Sequence, residues 1–322
     1  MLTYSRREFT KLALTSLPAA ALISSPSSLF AAEKTTPRPK KPNSKFAGVQ
    51  IGLNVPYSFG IPRTAGEILE HCIELNLSAV ELRAQPVEAF LGLPAKILPP
   101  GKGAVASTPA AEANVEKVRA WRRAVSMDRV KAFRRTFEDA GVAIEILKVD
   151  RFFALTDDMI DYHFTMAKAL GARAISTEIS KTQSDMERMG HFADKHRLLV
   201  GYHGHASTTP AHWEQAFAYS KFNGANVDLG HFVAGNNISP ADFIKKHHAR
   251  IPHIHLKDRK KNNGANLAFG EGDTPIVEVL RLIRDQRWKI QGTIELEYKV
   301  PAGSTRLQEI ARSIKYCRDA LV

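Results

Sequence analysis

The sequence predicts a closed (β/α)8 barrel, the TIM-barrel class of α/β fold, as a single domain over residues 47–322. Short apolar strands alternate with amphipathic helices throughout this region, and such alternation is typical of parallel sheets. Eight units fit into about 275 residues, close to the ~250 that a barrel of this class needs. A doubly wound open sheet is the alternative, but no glycine-rich dinucleotide fingerprint follows the first predicted strand.

The residues before the predicted barrel form two further segments. Arg6 and Arg7 begin an S-R-R-x-F-x-K pattern that precedes a mildly apolar run, and this resembles a bacterial twin-arginine export signal. We expect a signal peptide over 1–32 and a flexible, Pro-rich linker over 33–46. The apolar run is too short and too rich in Ser and Pro for a membrane span. The expected location is therefore the periplasm or the exterior, with no stable membrane anchor.

Eight strand candidates are short and mostly apolar, and each is followed by a helical pattern. They span residues 48–55, 78–83, 142–149, 173–179, 198–205, 225–231, 252–258 and 292–298. Thr64 and Glu67 form a capping-box pattern before the first helix. Ser-Pro at 239–240 and Thr-Pro at 274–275 each place a capping residue before a proline. Gly171 follows a helical segment, as a helix-ending glycine does.

One long segment, residues 86–125, interrupts this alternation between the second strand and its helix. A connection of this length is typical either of a functional loop or of a disordered one. It leaves the carboxyl end of a strand, where barrel active sites lie. We therefore interpret it as an insertion that acts as a lid, with a mobile surface insertion as the alternative.

Composition and charge exclude several classes of protein. The formal net charge is +12, and the first 46 residues, with eight Lys or Arg and two Asp or Glu, supply half of this excess. The rest of the chain is only mildly basic, which argues against a nucleic-acid partner. Two cysteines, Cys72 and Cys317, make neither a disulfide framework nor a metal-binding pair.

Ionisable side chains concentrate at the predicted carboxyl ends of strands four to eight. They are Glu178, His203, His205, Asp228, His231, His253, His255, Lys257, Glu295 and Glu297. A single one of these is readily explained as a solvated carboxylate or a hydrogen-bonded core histidine. Several of them directed into one barrel mouth would be costly to bury without a compensating charge. We therefore predict one divalent metal ion with mixed oxygen and nitrogen ligands, namely Mn²⁺, Mg²⁺, Co²⁺ or Zn²⁺.

Four motifs carry a more specific resemblance. "NVDLGH", "PHIHLKDR", "GEGDTPIVEVLRLI" and "GTIELEY" resemble, in this order, the second half of the xylose-isomerase-like superfamily of sugar isomerases and epimerases. The resemblance covers about residues 47–322 and is strongest from residue 170 onward. It implies that Asp228, His255 and Glu297 bind the metal. Many ketose epimerases have a glutamate on strand five, where this sequence has "GYHGH", so the fourth expected ligand is Glu178, with His205 as the alternative.

The resemblance implies a metal-dependent sugar isomerase or epimerase with a small carbohydrate substrate. Such enzymes remove a proton next to a carbonyl, and the metal stabilises the resulting enediolate. Glu297 is the expected base, and His203 or His205 serves the opposite face of the substrate. Lys257 is expected to hold a substrate oxygen or polarise the carbonyl; a surface lysine paired with Asp258 is the alternative.

Other functional assignments follow from the same residues. Glu81, His231 and Arg259 are expected to contact the substrate. The main alternative function is a 3-keto-glycoside lyase, which uses the same metal and base to eliminate the aglycone. A non-catalytic sugar-binding protein and a relative of the apurinic endonucleases are two further alternatives. Asp228 and His231 have the D-x-x-H spacing of the endonucleases, but the second and third strands lack the extra histidines. The sequence is also compatible with a homo-oligomer.

Overall fold

Eight parallel strands form a closed barrel, as predicted, in the computed structural model, which describes residues 41–60, 63–94 and 109–322. The strands are β1 (Val49–Val55), β2 (Ala79–Arg83), β3 (Ala143–Lys148), β4 (Ala174–Glu178), β5 (Leu199–His203), β6 (Asn223–Asp228), β7 (His253–Leu256) and β8 (Gln291–Ile294). Each strand pairs with its successor, and β1 also pairs with β8, with Ile51 opposite Gly292. This last pairing closes the sheet, so all eight carboxyl ends meet at one mouth.

Helices surround the barrel. They are α1 (Ala65–Glu74), α2 (Ala84–Phe90), α3 (Pro109–Ala124), α4 (Met127–Asp139), α5 (Asp157–Leu170), α6 (Gln183–His196), α7 (Pro210–Phe217), α8 (Leu229–Asn236), α9 (Ala241–His247), α10 (Ile276–Asp285) and α11 (Arg306–Leu321). Within the described ranges, no helix combines the length and hydrophobicity that crossing a bilayer requires.

The two faces of β1 show how the sequence separates the core from the mouth. Ile51, Leu53 and Val55 are fully buried on one face and belong to the apolar core. Asn54 lies on the other face, inside the barrel, where its side-chain amide donates to Glu295 across 2.8 Å. Both faces of β1 are covered, so nearly all of its residues are buried. The polar residues inside the barrel therefore need partners on neighbouring strands.

The described part of the predicted linker joins the sheet. Lys45–Phe46 pairs antiparallel with the start of β1. Ser44 is fully buried, and its hydroxyl donates to the carbonyl of Ile51 across 2.6 Å. Residues 41–46, predicted as part of a flexible linker, therefore belong to the folded domain. The predicted signal peptide, 1–32, and linker residues 33–40 lie outside the described residues.

Two helices occupy the described parts of the predicted insertion. In α2 and α3, Glu88 and Arg122 form a buried ion pair, with 2.7 Å between Oε1 and Nε. This pair connects the two ends of the segment. Residues 95–108 lie outside the described part of the chain, so the lid stays a prediction.

The predicted helix boundaries are mostly reproduced. Thr64 and Glu67 form the capping box of α1, and Gly171 ends α5 with a positive φ of 74°. The Ser-Pro and Thr-Pro pairs differ, because α9 and α10 each begin one residue later than expected. The Thr274 hydroxyl instead accepts from the backbone amide of Arg259 across 3.1 Å. The threonine therefore fixes the loop after β7 rather than capping a helix.

Replacing Thr305 by alanine is expected to lower the free energy of unfolding by about 1 kcal/mol and the Tm by about 2–4 °C. Thr305 caps α11, since its hydroxyl accepts from the amide of Gln308 across 3.2 Å and its own amide donates to the Gln308 side chain across 2.9 Å. Thermal unfolding followed by circular dichroism measures the change. Thr305→Ser keeps the hydroxyl and is the control. An alanine variant that melts with the wild type would show that the cap contributes nothing.

Candidate active site

Four side chains from four consecutive strands converge at the mouth of the barrel. His203 ends β5, Asp228 ends β6, His255 lies in β7 and Glu295 directly follows β8. Each is at least nine-tenths buried, and each has one donor atom within 4.8 Å of the others. We call these four residues the donor group.

The donor group has the chemistry of a metal site. His255 Nδ1 lies 3.2 Å from Glu295 Oε2, and His203 Nε2 lies 3.5 Å from Asp228 Oδ2. Two imidazole nitrogens and two carboxylate oxygens form a ligand set that divalent first-row metals accept. The two carboxylates are buried and require compensation by positive charge. By donor type, convergence and charge, these residues fit a single divalent ion.

Buried charges shift the ionisation of this group. Burial disfavours the charged imidazole of His255, but Glu81 and Glu295 outweigh burial and raise its pKa to about 10. Burial also opposes the ionisation of Asp228, whose pKa the neighbouring Lys257 nevertheless holds well below its usual range. A metal would bind the deprotonated imidazole, so any ion held by His255 would compete with a proton for this residue.

Lys257 lies inside this cluster. Its Nζ atom is 2.9 Å from Asp228 Oδ2, 2.7 Å from Glu295 Oε2 and 2.8 Å from Glu297 Oε2, and the residue is 2% exposed. Burial disfavours the ammonium, but these three carboxylates raise the pKa of Lys257 above its ordinary value. The alternative of a surface lysine paired with Asp258 is wrong. Asp258 instead accepts from the backbone amides of the loop after β7, including that of Gly270 at 2.8 Å.

Glu297, the predicted base and ligand, lies beside the donor group and is not part of it. One carboxylate oxygen accepts from the hydroxyl of Tyr57 across 2.5 Å, and the other contacts Lys257. Its side chain is 19% exposed, so it remains open towards the mouth. Burial opposes ionisation of Glu297, but Lys257 outweighs burial and lowers its pKa.

Glu178, the other predicted ligand that is absent from the donor group, supports that group from β4. Its carboxylate lies 2.9 Å from Lys148 Nζ, 3.1 Å from His203 Nδ1 and 2.6 Å from His205 Nε2. The contact with Nδ1 orients the ring of His203 so that Nε2 faces Asp228, as residues around metal ligands do. The side chain of His205 is 46% exposed. Glu178, His203 and His205 form a second, more open cluster at the rim.

Glu81, a predicted substrate contact, lies inside the barrel rather than at its open mouth. It is fully buried on β2, and its Oε2 atom is 2.5 Å from His255 Nε2. This contact leaves Nδ1 of His255 facing the donor group. His253 lies 3.6 Å from the other Glu81 oxygen, and burial lowers the pKa of His253 to about 4. These two residues support His255 from within the barrel.

His231 lies beside Lys257, and Arg259 lies beside His231. His231 Nε2 is 3.1 Å from Lys257 Nζ, and His231 Nδ1 is 2.7 Å from Arg259 Nη1. Burial lowers the pKa of His231 to about 4. Both residues border the cluster, and their predicted contact with a substrate stays a prediction.

The sequence reasoning missed Tyr57 and Lys148. Lys148 ends β3, so the strand-end argument that found the other residues could have found it as well. Tyr57 lies two residues after β1, and its role becomes visible only through its contact with Glu297.

Two grooves lie away from this site. A groove of about 540 Å³ lies between α5 and α6, and one of about 420 Å³ lies beside α11. The residues that line these two grooves include no member of the donor group. Convergent chemistry identifies the mouth as the candidate active site.

Comparisons with known proteins agree with this fold. No curated protein matches the sequence. Among the similar solved structures is a 3-keto-D-glucoside 4-epimerase from E. coli, with 10% identity, a TM-score of 0.56, and coverage of 84% of this chain and 99% of that one. A probable 3-DHS dehydratase from Bacillus anthracis is 13% identical, with a TM-score of 0.56, and the match covers 83% of this chain and 98% of that one.

A third structure holds a metal. It is a xylose isomerase-like TIM barrel protein from Mycobacterium smegmatis in complex with magnesium, with 16% identity, a TM-score of 0.53, and coverage of 86% of this chain and 98% of that one. At these identities the likeness concerns the fold. The family itself is shown by a family model that matches residues 110–320: this chain belongs to the xylose isomerase-like TIM barrel family.

Proposed function

We propose that the protein is a metal-dependent sugar isomerase or epimerase that moves a proton at the carbon next to a carbonyl. The observation that supports this most directly is the donor group with an open carboxylate, Glu297, beside it. The M. smegmatis relative in complex with magnesium supports a metal on this fold, and the E. coli relative supports epimerisation of a keto-sugar.

The chain's own residues divide into metal-holding and proton-moving groups. The donor group would hold a divalent ion, which when bound polarises the substrate carbonyl and stabilises negative charge on its oxygen. Glu297 would take the proton, because Lys257 lowers its pKa and its side chain reaches the mouth beside the donor group. Tyr57 and Lys257 hold its two oxygens, which fixes the carboxylate for transfer.

A second group can return the proton. Epimerisation requires an acid on the face of the carbon opposite the base. His205, partly exposed and 2.6 Å from Glu178, belongs to the cluster next to the donor group on the β4–β5 side, whereas Glu297 follows β8. An imidazole can carry and release a proton, so the Glu178–His205 pair suits this role.

The Glu178–His205 pair also favours a second candidate function, β-elimination from a keto-sugar. In that reaction the exposed imidazole would protonate a leaving oxygen after Glu297 has removed the proton next to the ketone. One similar structure is named a dehydratase, which is an eliminating enzyme. A lyase acting on 3-keto-glycosides therefore remains the alternative use of the same residues.

Turnover in deuterium oxide tests both candidates. Protein treated with a chelator and reloaded with Mn²⁺, Mg²⁺, Co²⁺ or Zn²⁺ is incubated with free ketoses and with 3-keto-glycosides. We expect metal-dependent incorporation of deuterium next to the carbonyl, detected by NMR and mass spectrometry. A product of conserved carbon skeleton indicates an isomerase or epimerase, and a released aglycone indicates a lyase.

Two results would reject the proposal. The first is full turnover by protein that holds less than about one-tenth of a metal ion per chain. Such a protein would not need the one metal ion per chain that the proposal requires. Binding of sugars without exchange or turnover on any substrate would indicate a sugar-binding protein.

A further inference from the structure

Lys257 contacts two of the oxygens that a metal would need. Its Nζ atom lies 2.9 Å from Asp228 Oδ2 and 2.7 Å from Glu295 Oε2. The same two oxygens are the ones that approach His203 Nε2 and His255 Nδ1. The ammonium therefore occupies the side of the donor group on which a shared ion would bind.

Binding an ammonium and a divalent ion to the same oxygens is electrostatically unfavourable. Both charges are positive, and repulsion over a few ångströms is strong where water is excluded. The ammonium nevertheless has a function when metal is absent. Asp228 is fully buried and Glu295 is 6% exposed, and buried carboxylates without a positive partner destabilise a fold severely.

The lysine has partners outside the donor group. Glu297 Oε2 lies 2.8 Å and His231 Nε2 lies 3.1 Å from the same Nζ atom. A rotation of the last side-chain bonds would therefore release Asp228 and Glu295 while the ammonium stays paired with Glu297. The base of the side chain packs against Gly230, where Cγ of Lys257 fills the space that a larger residue would need. We therefore expect the movement at the end of the side chain.

We propose that Lys257 is a built-in counter-cation that competes with the metal for Asp228 and Glu295. Without metal it neutralises the two carboxylates and keeps the barrel folded. On metal binding it withdraws to Glu297 and thereby sets the affinity of the site. This inference rests on the metal site of the proposed function and adds a regulator of its occupancy.

Replacing Lys257 by methionine tests this role, because methionine retains an unbranched side chain and removes the charge. We expect the variant to bind Mn²⁺ about tenfold or more tightly than the wild type does, as measured by titration calorimetry and by the electron paramagnetic resonance of free Mn²⁺. We also expect its Tm in chelator to fall below that of the wild type, and Mn²⁺ to raise that Tm by a larger amount.

Arg122→Met is the matched control. It removes a different buried cation, whose partner Glu88 lies on α2 in the outer layer. This change should lower the Tm equally in chelator and in Mn²⁺ and leave the affinity for Mn²⁺ at the wild-type value. The comparison separates loss of a buried ion pair in general from loss of the competitor.

Each outcome decides the matter. Equal Mn²⁺ affinities and equal Mn²⁺-induced shifts in Lys257→Met and wild type would overturn the inference while leaving the metal site intact. Absence of Mn²⁺ binding in both proteins would overturn the inference together with the metal site. Should Lys257→Met be insoluble in chelator, recovery of soluble protein on refolding in Mn²⁺ supports the inference. If Lys257→Met is insoluble in both conditions, the same titrations are carried out on Lys257→Gln and judged by the same criteria.

Discussion

Glu297→Gln is expected to reduce kcat by about 10²–10⁴-fold while leaving the metal content of the protein unchanged. The amide cannot accept a proton from the substrate. Glu297 lies outside the donor group, and its carboxylate contacts Tyr57 and Lys257. Loss of the base should therefore appear in turnover and in deuterium exchange, and not in elemental analysis of the purified enzyme.

Glu295→Gln is the matched comparison, because it makes the same chemical change two residues earlier. Glu295 belongs to the donor group, so its amide variant should lose metal as well as activity. The sequence-based assignment of Glu297 as a ligand makes the opposite prediction. A Glu297→Gln protein that has lost its metal, together with a Glu295→Gln protein that retains it, would restore that assignment. Wild-type turnover in Glu297→Gln would remove the residue from the mechanism.

The difference between these two glutamates shows where sequence reasoning ends. Strand alternation places Glu295 and Glu297 on the same side of the chain. The pattern alone therefore does not show which of the two lies among the metal ligands. The level of each residue depends on register across the barrel. Thr293 lies opposite His255, and the amide of Glu295 donates to the carbonyl of Leu256. Glu295 is therefore two residues beyond the level of His255, and its side chain reaches back to His255 Nδ1 across 3.2 Å. Glu297 is a further two residues nearer the rim.

Other features were predictable because they depend on local patterns alone. The alternation of strands and helices predicts a barrel, and a closed parallel barrel brings strand ends such as Asp228 and His255 together whatever the loops do. The sequence offered Glu178, or else His205, as the fourth ligand and His203 as a proton-transfer residue, and the strand pattern could not show that His203 belongs to the donor group instead. Glu178 and His203 illustrate the reason. Both lie at adjacent strand ends, and only the position of Lys148, which holds Glu178 at 2.9 Å, shows which side chain faces Asp228.

Asp228→Asn is expected to weaken metal binding by more than about 100-fold, beyond the 10–100-fold that loss of a group merely supporting a ligand causes. Turnover should fall by about 10³-fold or more, because several kcal/mol of charge stabilisation depend on the metal. Asp228 also caps α8, since its Oδ1 atom accepts from the amide of His231 across 2.8 Å. Asparagine retains this cap, so the substitution changes the charge and keeps the local structure.

Asp228→Ala serves as the control for the helix cap. It removes the carboxylate and the cap together, so it should unfold about 1 kcal/mol more easily than the asparagine variant, with the same loss of metal. Elemental analysis and calorimetric titration measure the metal, and chemical denaturation measures the stability. If Asp228→Asn bound metal like the wild type, the carboxylate would serve α8 and Lys257 alone. The convergence of the four donor residues would then require an explanation in hydrogen bonding, and the case for a metal-dependent enzyme would be lost with it.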